Sequence, residues 1–300
     1  MTQPAFSTNP EPAFTNALCG IDDSRRSGEA AHQATMLATP GGSIDFVAVC
    51  WAVGEGRRTV ASLNAKRAQE ALEEAGHAAL GAGAAATWRI LRAPDSAAAL
   101  LREAHGHDLV AVGSHTGSRA SGIFFGSTAS TLVHRADVPV LVARRPPSDD
   151  AFPNKILVAS DGSPGSATAA RLAGRIGHAC DSEVTVLHVS EGETPNMRAE
   201  LARQVVELFE TVGHEPPVCD ASGDPHDEIP RLAGELGAGL LVIGSRGLGG
   251  VKALGSVSER VAHDAPCSVL VARPSCGRTL LPLLRAEPPW AEPRLDSHAR

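Results

Sequence analysis

Two aspartates and two Gly-Ser pairs stand at matched places in this chain. Asp22, in CGIDDS, and Asp161, in VASDGS, each follow a short apolar run directly. Farther on, Gly126-Ser127 and Gly255-Ser256 each end a glycine-bearing loop and open an amphipathic segment. A glycine ahead of a helix lets the backbone close on a ligand, and the helix start offers N–H groups and a positive dipole end, which together suit phosphate. The serine hydroxyl adds a donor. Each piece also has an ordinary reading, since Ser is a common N-cap, Gly is loop punctuation and Asp before Gly-Ser is a favoured turn residue. The whole set recurs while the sequence between drifts, and that recurrence favours a site.

The recurrence has a simple origin: GSHTGSRASGIFFGSTASTLVHRADVPVLVAR, from Gly113, returns as GSRGLGGVKALGSVSERVAHDAPCSVLVAR, from Gly244. From Gly126 to Arg144 and from Gly255 to Arg273 the copies run without a gap, and upstream Ala17 to Asp22 mirrors Ile156 to Asp161. Self-similarity over so long a period is a duplicated fold rather than a solenoid of short repeats. The expected organisation is an N-terminal segment over 1–13, one domain over 14–147, a second over 153–274, and a proline-rich, disordered tail over 275–300. The prolines and acidic pair of 144–153 read as a short, semi-stiff linker.

Elements that could position these residues are legible in both copies. In the second, KILVAS from Lys155 is a short apolar strand, DGSPG is turn chemistry, and Ala169, Leu172, Ala173 and Ile176 stripe one helical face. Strands at 184–189, 218–221, 240–243 and 268–272 follow, separated by helices whose stripes include Leu201, Val205, Leu208 and Val212, then Ile229, Leu232, Ala233 and Leu236. The first copy repeats the order with strands at 17–21, 46–50, 87–91, 109–112 and 139–143. Strands apolar throughout, between amphipathic helices, call for a parallel sheet covered on both faces, so the fold class is α/β with two open, doubly wound, five-stranded sheets. In such sheets ligands bind beyond the carboxyl ends of the strands, where Asp22, Asp161 and the Gly-Ser loops fall.

Composition narrows the function. The 300 residues carry a net charge of −7, which suits solubility and argues against a nucleic-acid scaffold. The start, MTQPAFSTNPEPAF, has neither the basic beginning nor the apolar core of a signal peptide, and no apolar run approaches the ~18 residues of a membrane span. The expectation is a cytoplasmic protein with an apolar core in each half. The six cysteines show no CxxC or Cys/His spacing and read as buried free thiols. No metal site is expected. A dinucleotide-binding Rossmann motif would need GxGxxG where Asp22 and Asp161 stand, and there is no GxxxxGK[ST] loop, GxSxG elbow or HExxH. ATP pyrophosphatases are disfavoured because SDGSPGS lacks their second paired glycine. His134 and His263 sit at matched places near the end of the last helix of each copy, where an imidazole suits the helix dipole. His115 and Arg246 are phosphate neighbours or solvated loop residues. No efficient catalytic centre is evident.

Taken together, these residues resemble the universal stress protein family in its tandem form. The family pattern is an Asp after strand one and, after strand four, Gly, two residues, Gly, nine residues, then Gly with Ser or Thr. The likeness covers about 14–146 and 153–273, with GSRGLGG, GSVSERVAH and the closing VLVAR as its most specific parts. It implies an adenine-nucleotide alpha-hydrolase-like sandwich and ATP, with or without Mg2+, as ligand. Asp22 and Asp161 would meet the ribose or adenine, while Gly113, Gly126 and Ser127, and Gly244, Gly247, Gly255 and Ser256, would hold phosphates. It further implies a regulatory, stress-response role without efficient catalysis. Domains of the family pair through their last strands, so PVLVAR and SVLVAR are expected to cover each other within the chain, with a homodimer also open. The alternative is a dimerising interaction module of the same fold that has lost nucleotide binding. Both copies depart from the pattern: the first has Thr116 where the second glycine belongs, and the second has seven loop residues instead of nine. The full-length loop ranks the first copy ahead for binding.

Overall fold

The computed structural model describes residues 13–22, 24–50, 58–114, 126–148, 151–190, 195–245 and 256–273. The first half runs β1 (Asn16–Ile21), α1 (Arg25–Ala38), β2 (Ser43–Cys50), α2 (Arg58–Gly81), β3 (Ala85–Arg92), α3 (Ser96–Glu103), β4 (Leu109–Gly113), α4 (Ser127–Arg135) and β5 (Val140–Ala143). The second runs β6 (Lys155–Ala159), α5 (Pro164–Cys180), β7 (Glu183–Ser190), α6 (Pro195–Val212), β8 (Val218–Ser222), α7 (Pro225–Glu235), β9 (Leu240–Gly244), α8 (Ser256–Asp264) and β10 (Ser268–Ala272). Local chemistry sets the helix starts. Ser163 caps α5 with Pro164 in its first turn, and Asp224 caps α7 with Pro225 behind it, because a proline there sacrifices no helical hydrogen bond.

The strands form one sheet in the order β3-β2-β1-β4-β5-β10-β9-β6-β7-β8. Every pairing within a half is parallel, while β5 meets β10 antiparallel with Val142 opposite Val269, Leu141 opposite Leu270 and Val140 opposite Val271. In each half the chain moves outward from the first strand and then returns to its other side. That reversal leaves a switch point between β1 and β4, and another between β6 and β9.

The core divides by face of the sheet rather than by half, which corrects the expectation of two separate cores. One layer joins Leu37, Leu72, Ile176 and Leu208 of α1, α2, α5 and α6; the other joins Leu100, Leu132, Ile229 and Val261 of α3, α4, α7 and α8. Alternation sorts the seam strands, with Leu141 and Leu270 facing the first layer and Val140, Val142, Val269 and Val271 the second. The four residues expected to stripe α5 are all buried. In α7 the stripe ends early, and Leu236 is 43% exposed because it lies past the helix, at its C-cap.

The 144–153 linker also differs from expectation. It is no mere spacer: Arg144, Ala151 and Phe152 are buried, and Phe152 belongs to the first core layer. Its acidic centre, Asp149 and Asp150, and the tail beyond Arg273 lie outside the described residues.

Candidate functional site

Asp22 directly follows β1 and Asp161 lies just past β6, each at the carboxyl edge of the sheet. Their side chains act alike: Asp22 Oδ1 accepts the Ser24 N–H at 2.9 Å, and Asp161 Oδ1 accepts the Ser163 N–H at 3.0 Å. The helices behind them are closed by their own serines. Ser24 Oγ accepts from Ser27 N at 3.3 Å and Ser163 Oγ from Ser166 N at 3.2 Å, so each cap fills one first-turn N–H group that an anion would otherwise take.

The start of α4 is different. Gly126 is its N-cap, with an extended backbone and no side chain to accept from the first turn. Ser127, expected beside the phosphate, is therefore the first helical residue and not the cap. A glycine cap supplies no side-chain oxygen to the first-turn N–H groups. In the second half Ser256 opens α8, while Gly247 and Gly255 lie outside the described residues, as do Thr116, His115 and Arg246. The first turn of α8 is tied to the sheet edge by Ser258 Oγ, which donates to the Gly244 carbonyl at 2.7 Å. That bond places Gly244 beside the first turn of α8.

Gly113 and Gly244 are explained without a ligand. A Cβ on Gly113 would lie 2.6 Å from the Arg26 carbonyl oxygen, and one on Gly244 would lie 2.6 Å from the Gly165 carbonyl carbon. These glycines let α1 and α5 begin hard against the ends of β4 and β9, so they shape the crevice by packing.

A polar cluster under the Asp161 turn carries no signal in the loop motifs. His188, near the end of β7, donates from Nδ1 to the Ser160 carbonyl at 2.8 Å and is itself buried. Gln204, at a buried position of α6 amid an apolar stripe, accepts the Ser160 hydroxyl at 2.7 Å and donates to the Ser163 carbonyl at 3.3 Å. In sequence, the only sign is a glutamine on the inward face of a helix.

Arg144 and Arg273, which close the two VLVAR strands, are likewise absent from the loop motifs. Each is buried and crosses the seam. Arg144 donates to the carbonyls of Ala262 at 2.6 Å, Cys267 at 3.1 Å and His263 at 3.2 Å, at and just past the end of α8. Arg273 answers by donating to the Val133 carbonyl in the last turn of α4. Burial pulls the Arg144 pKa down to about 10, which leaves the guanidinium charged at neutral pH. Beside it Gln33 Nε2 donates to the Arg144 carbonyl at 2.8 Å, and Ser268 Oγ lies 2.7 Å from Gln33 Oε1. The clue in sequence is an arginine repeated after an apolar strand.

The two helix-end histidines each have an acidic partner. His134 pairs with Glu259 across the seam at 3.1 Å, and His263 lies 2.6 Å from Asp264. Cys19 and Cys267 are buried, and burial pushes the Cys180 and Cys267 thiols up to about 11 and that of Cys19 higher still, so these are poor nucleophiles. Cys276 lies outside the described residues. Among the described residues no three His, Cys, Asp or Glu side chains gather as a metal site, and no helix is long and apolar enough to cross a membrane.

The model of the universal stress protein family matches residues 13–144 and again 153–273. Over 146 residues the chain is 32% identical to universal stress protein YxiE of Bacillus subtilis, covering 40% of this chain and 99% of that protein. A universal stress protein of Mycolicibacterium smegmatis aligns over 299 residues at 28% identity, covering 86% of this chain and 96% of the relative. The crystal structure of a universal stress protein from Archaeoglobus fulgidus superposes with a TM-score of 0.71 at 24% identity, over 86% of this chain and 98% of that one. This last likeness is one of fold.

Proposed function

We propose that this chain, which belongs to the universal stress protein family, binds an adenine nucleotide, foremost ATP, as a regulatory protein rather than as an efficient enzyme. The observation that carries the reading is the start of α4, where Gly126 caps the helix with no side-chain oxygen at the carboxyl edge that also holds Asp22. The two serine-capped helices at the same edge serve as the contrast. Phosphates fit the Ser127 end of α4 and, by the repeat, the Ser256 end of α8. Asp22 and Asp161 supply acceptors for ribose hydroxyls or the adenine amino group. Mg2+, where present, would travel with the phosphates. The setting proposed is cytoplasmic, with the two halves acting as one paired unit, alone or as a homodimer.

The test is titration calorimetry of the full chain with ATP and with AMP, supported by mass spectrometry of any ligand released from the native protein. ATP at ~100 times its dissociation constant stabilises the folded state by ~2.7 kcal/mol, and the thermal shift should exceed that with AMP, which cannot reach both ends of the site. Gly126→Val should abolish the first half's share, because a β-branched side chain would stand where phosphate meets backbone. Absence of both heat and thermal shift with ATP refutes the reading.

A further inference from the structure

We infer that the second half holds the tighter nucleotide site, and that Gln204 is the positioning residue that makes it so; the inference rests on the nucleotide reading above. Gln204 spans the Asp161 turn from below, with its Oε1 receiving the Ser160 hydroxyl at 2.7 Å and its Nε2 donating to the Ser163 carbonyl at 3.3 Å. Asp161 and Gly162 lie between those two anchors. The Ser160 hydroxyl in turn accepts the Gly162 N–H at 3.3 Å, and His188 Nδ1 holds the Ser160 carbonyl at 2.8 Å. Gly162 has a left-handed backbone, φ +73°, and a Cβ there would come within 2.9 Å of the Met197 carbonyl oxygen in α6. The turn that presents Asp161 is thus seated on α6 by packing and clamped to it by hydrogen bonds, all in buried surroundings where each bond holds firmly.

The first half anchors its Asp22 turn differently, through Ser27 Oγ, which donates to the Asp22 carbonyl at 2.8 Å and the Ser24 carbonyl at 2.9 Å, and the residues of the second half's clamp have no counterparts there. Strand register places Ile21 where the second half has Ser160 and Ala48 where it has His188. The buried position one turn before the buried leucine of the helix, Leu72 in α2 and Leu208 in α6, is Ala68 in one half and Gln204 in the other. None of Ile21, Ala48 or Ala68 has a side chain that can form a hydrogen bond. A turn seated in place before its ligand arrives loses less freedom on binding, and that difference appears as affinity. This reverses the ranking drawn from loop length, since a rigid Asp161 turn outweighs two missing loop residues.

The experiment is ATP calorimetry on the full chain in two backgrounds, Asp161→Ala to report the first half and Asp22→Ala to report the second. The second half should bind about tenfold more tightly or better. Gln204→Met, which keeps the volume and removes the hydrogen bonds to Ser160, Ser163 and Ser166, should weaken second-half binding about tenfold and leave first-half binding unchanged. Gln204→Glu, which retains the acceptor for Ser160, should fall between. Ser160→Ala removes the hydroxyl anchor to Gln204 and the acceptor of the Gly162 N–H and should weaken the second half several-fold; it also serves as the reporter should Gln204→Met fail to fold. A purely structural glutamine would lower the melting temperature of the ligand-free protein and leave the ratio of the two affinities unmoved. That outcome, or equal affinities in the two backgrounds, overturns the inference. If neither half binds ATP, the nucleotide reading falls and this inference with it.

Discussion

Replacing Arg144 with methionine keeps much of the buried stem and removes the guanidinium that reaches across the seam. Three carbonyls lose their donor: Ala262 at 2.6 Å, Cys267 at 3.1 Å and His263 at 3.2 Å. The site is buried, with Arg144 only 7% exposed, so water cannot readily replace the lost bonds. Each buried acceptor left unmet costs roughly 1–3 kcal/mol, partly offset by no longer burying a charge, so the net loss should be about 3–4 kcal/mol. At 2–4 °C per kcal/mol for a unit of this size, the melting temperature should fall by roughly 6–16 °C. Arg144→Lys should recover little, because an ammonium cannot fork to three carbonyls set around a planar group. Differential scanning calorimetry with a denaturant titration would measure both variants, and Arg273→Met should shift stability in the same direction through the Val133 carbonyl. A drop of less than about 2 °C for Arg144→Met would refute the view that this arginine carries the seam.

Three further outcomes are expected. Gly244→Ala should destabilise the ligand-free protein by about 2 kcal/mol in urea unfolding, because the new methyl would stand 2.6 Å from backbone at Gly165; a neutral result would return Gly244 to a ligand role alone. Asp45 is held well below the ordinary carboxylate range, first by its hydrogen bond to His107, then by Thr87 and Arg89, against the opposing pull of burial. Its stabilisation should be full above the ordinary value of 3.8 and be lost as pH falls toward the lowered one, so Asp45→Asn should lower stability at pH 6 and flatten the loss below about pH 4. Residues 1–148 expressed alone would expose the buried β5 edge and should self-associate in sedimentation; a monodisperse monomer at high concentration would contradict this.

The sequence by itself determined the duplication, the doubly wound order of strands and helices, and the strand ends at which Asp22 and Asp161 stand. Those features are local: a strand or helix writes its burial pattern every two or 3.6 residues, and a turn writes its own residues. The α5 stripe shows this well, with Ala169, Leu172, Ala173 and Ile176 all buried. Tertiary structure alone decided which groups those patterns would meet. Arg144 finds α8 more than 100 residues away, and Ser268 reaches Gln33 across 235. No local period encodes such partners. Gln204 reads in sequence as a polar lapse on an apolar face; only the position of Ser160 and Ser163 beside it turns the lapse into a clamp. Gly113 and Gly244 show the same division, since a glycine in a loop signals freedom of backbone, whereas here each is required by a neighbouring helix that lies too close for any side chain. A burial pattern specifies that a residue faces inward, and packing between distant segments specifies what it faces.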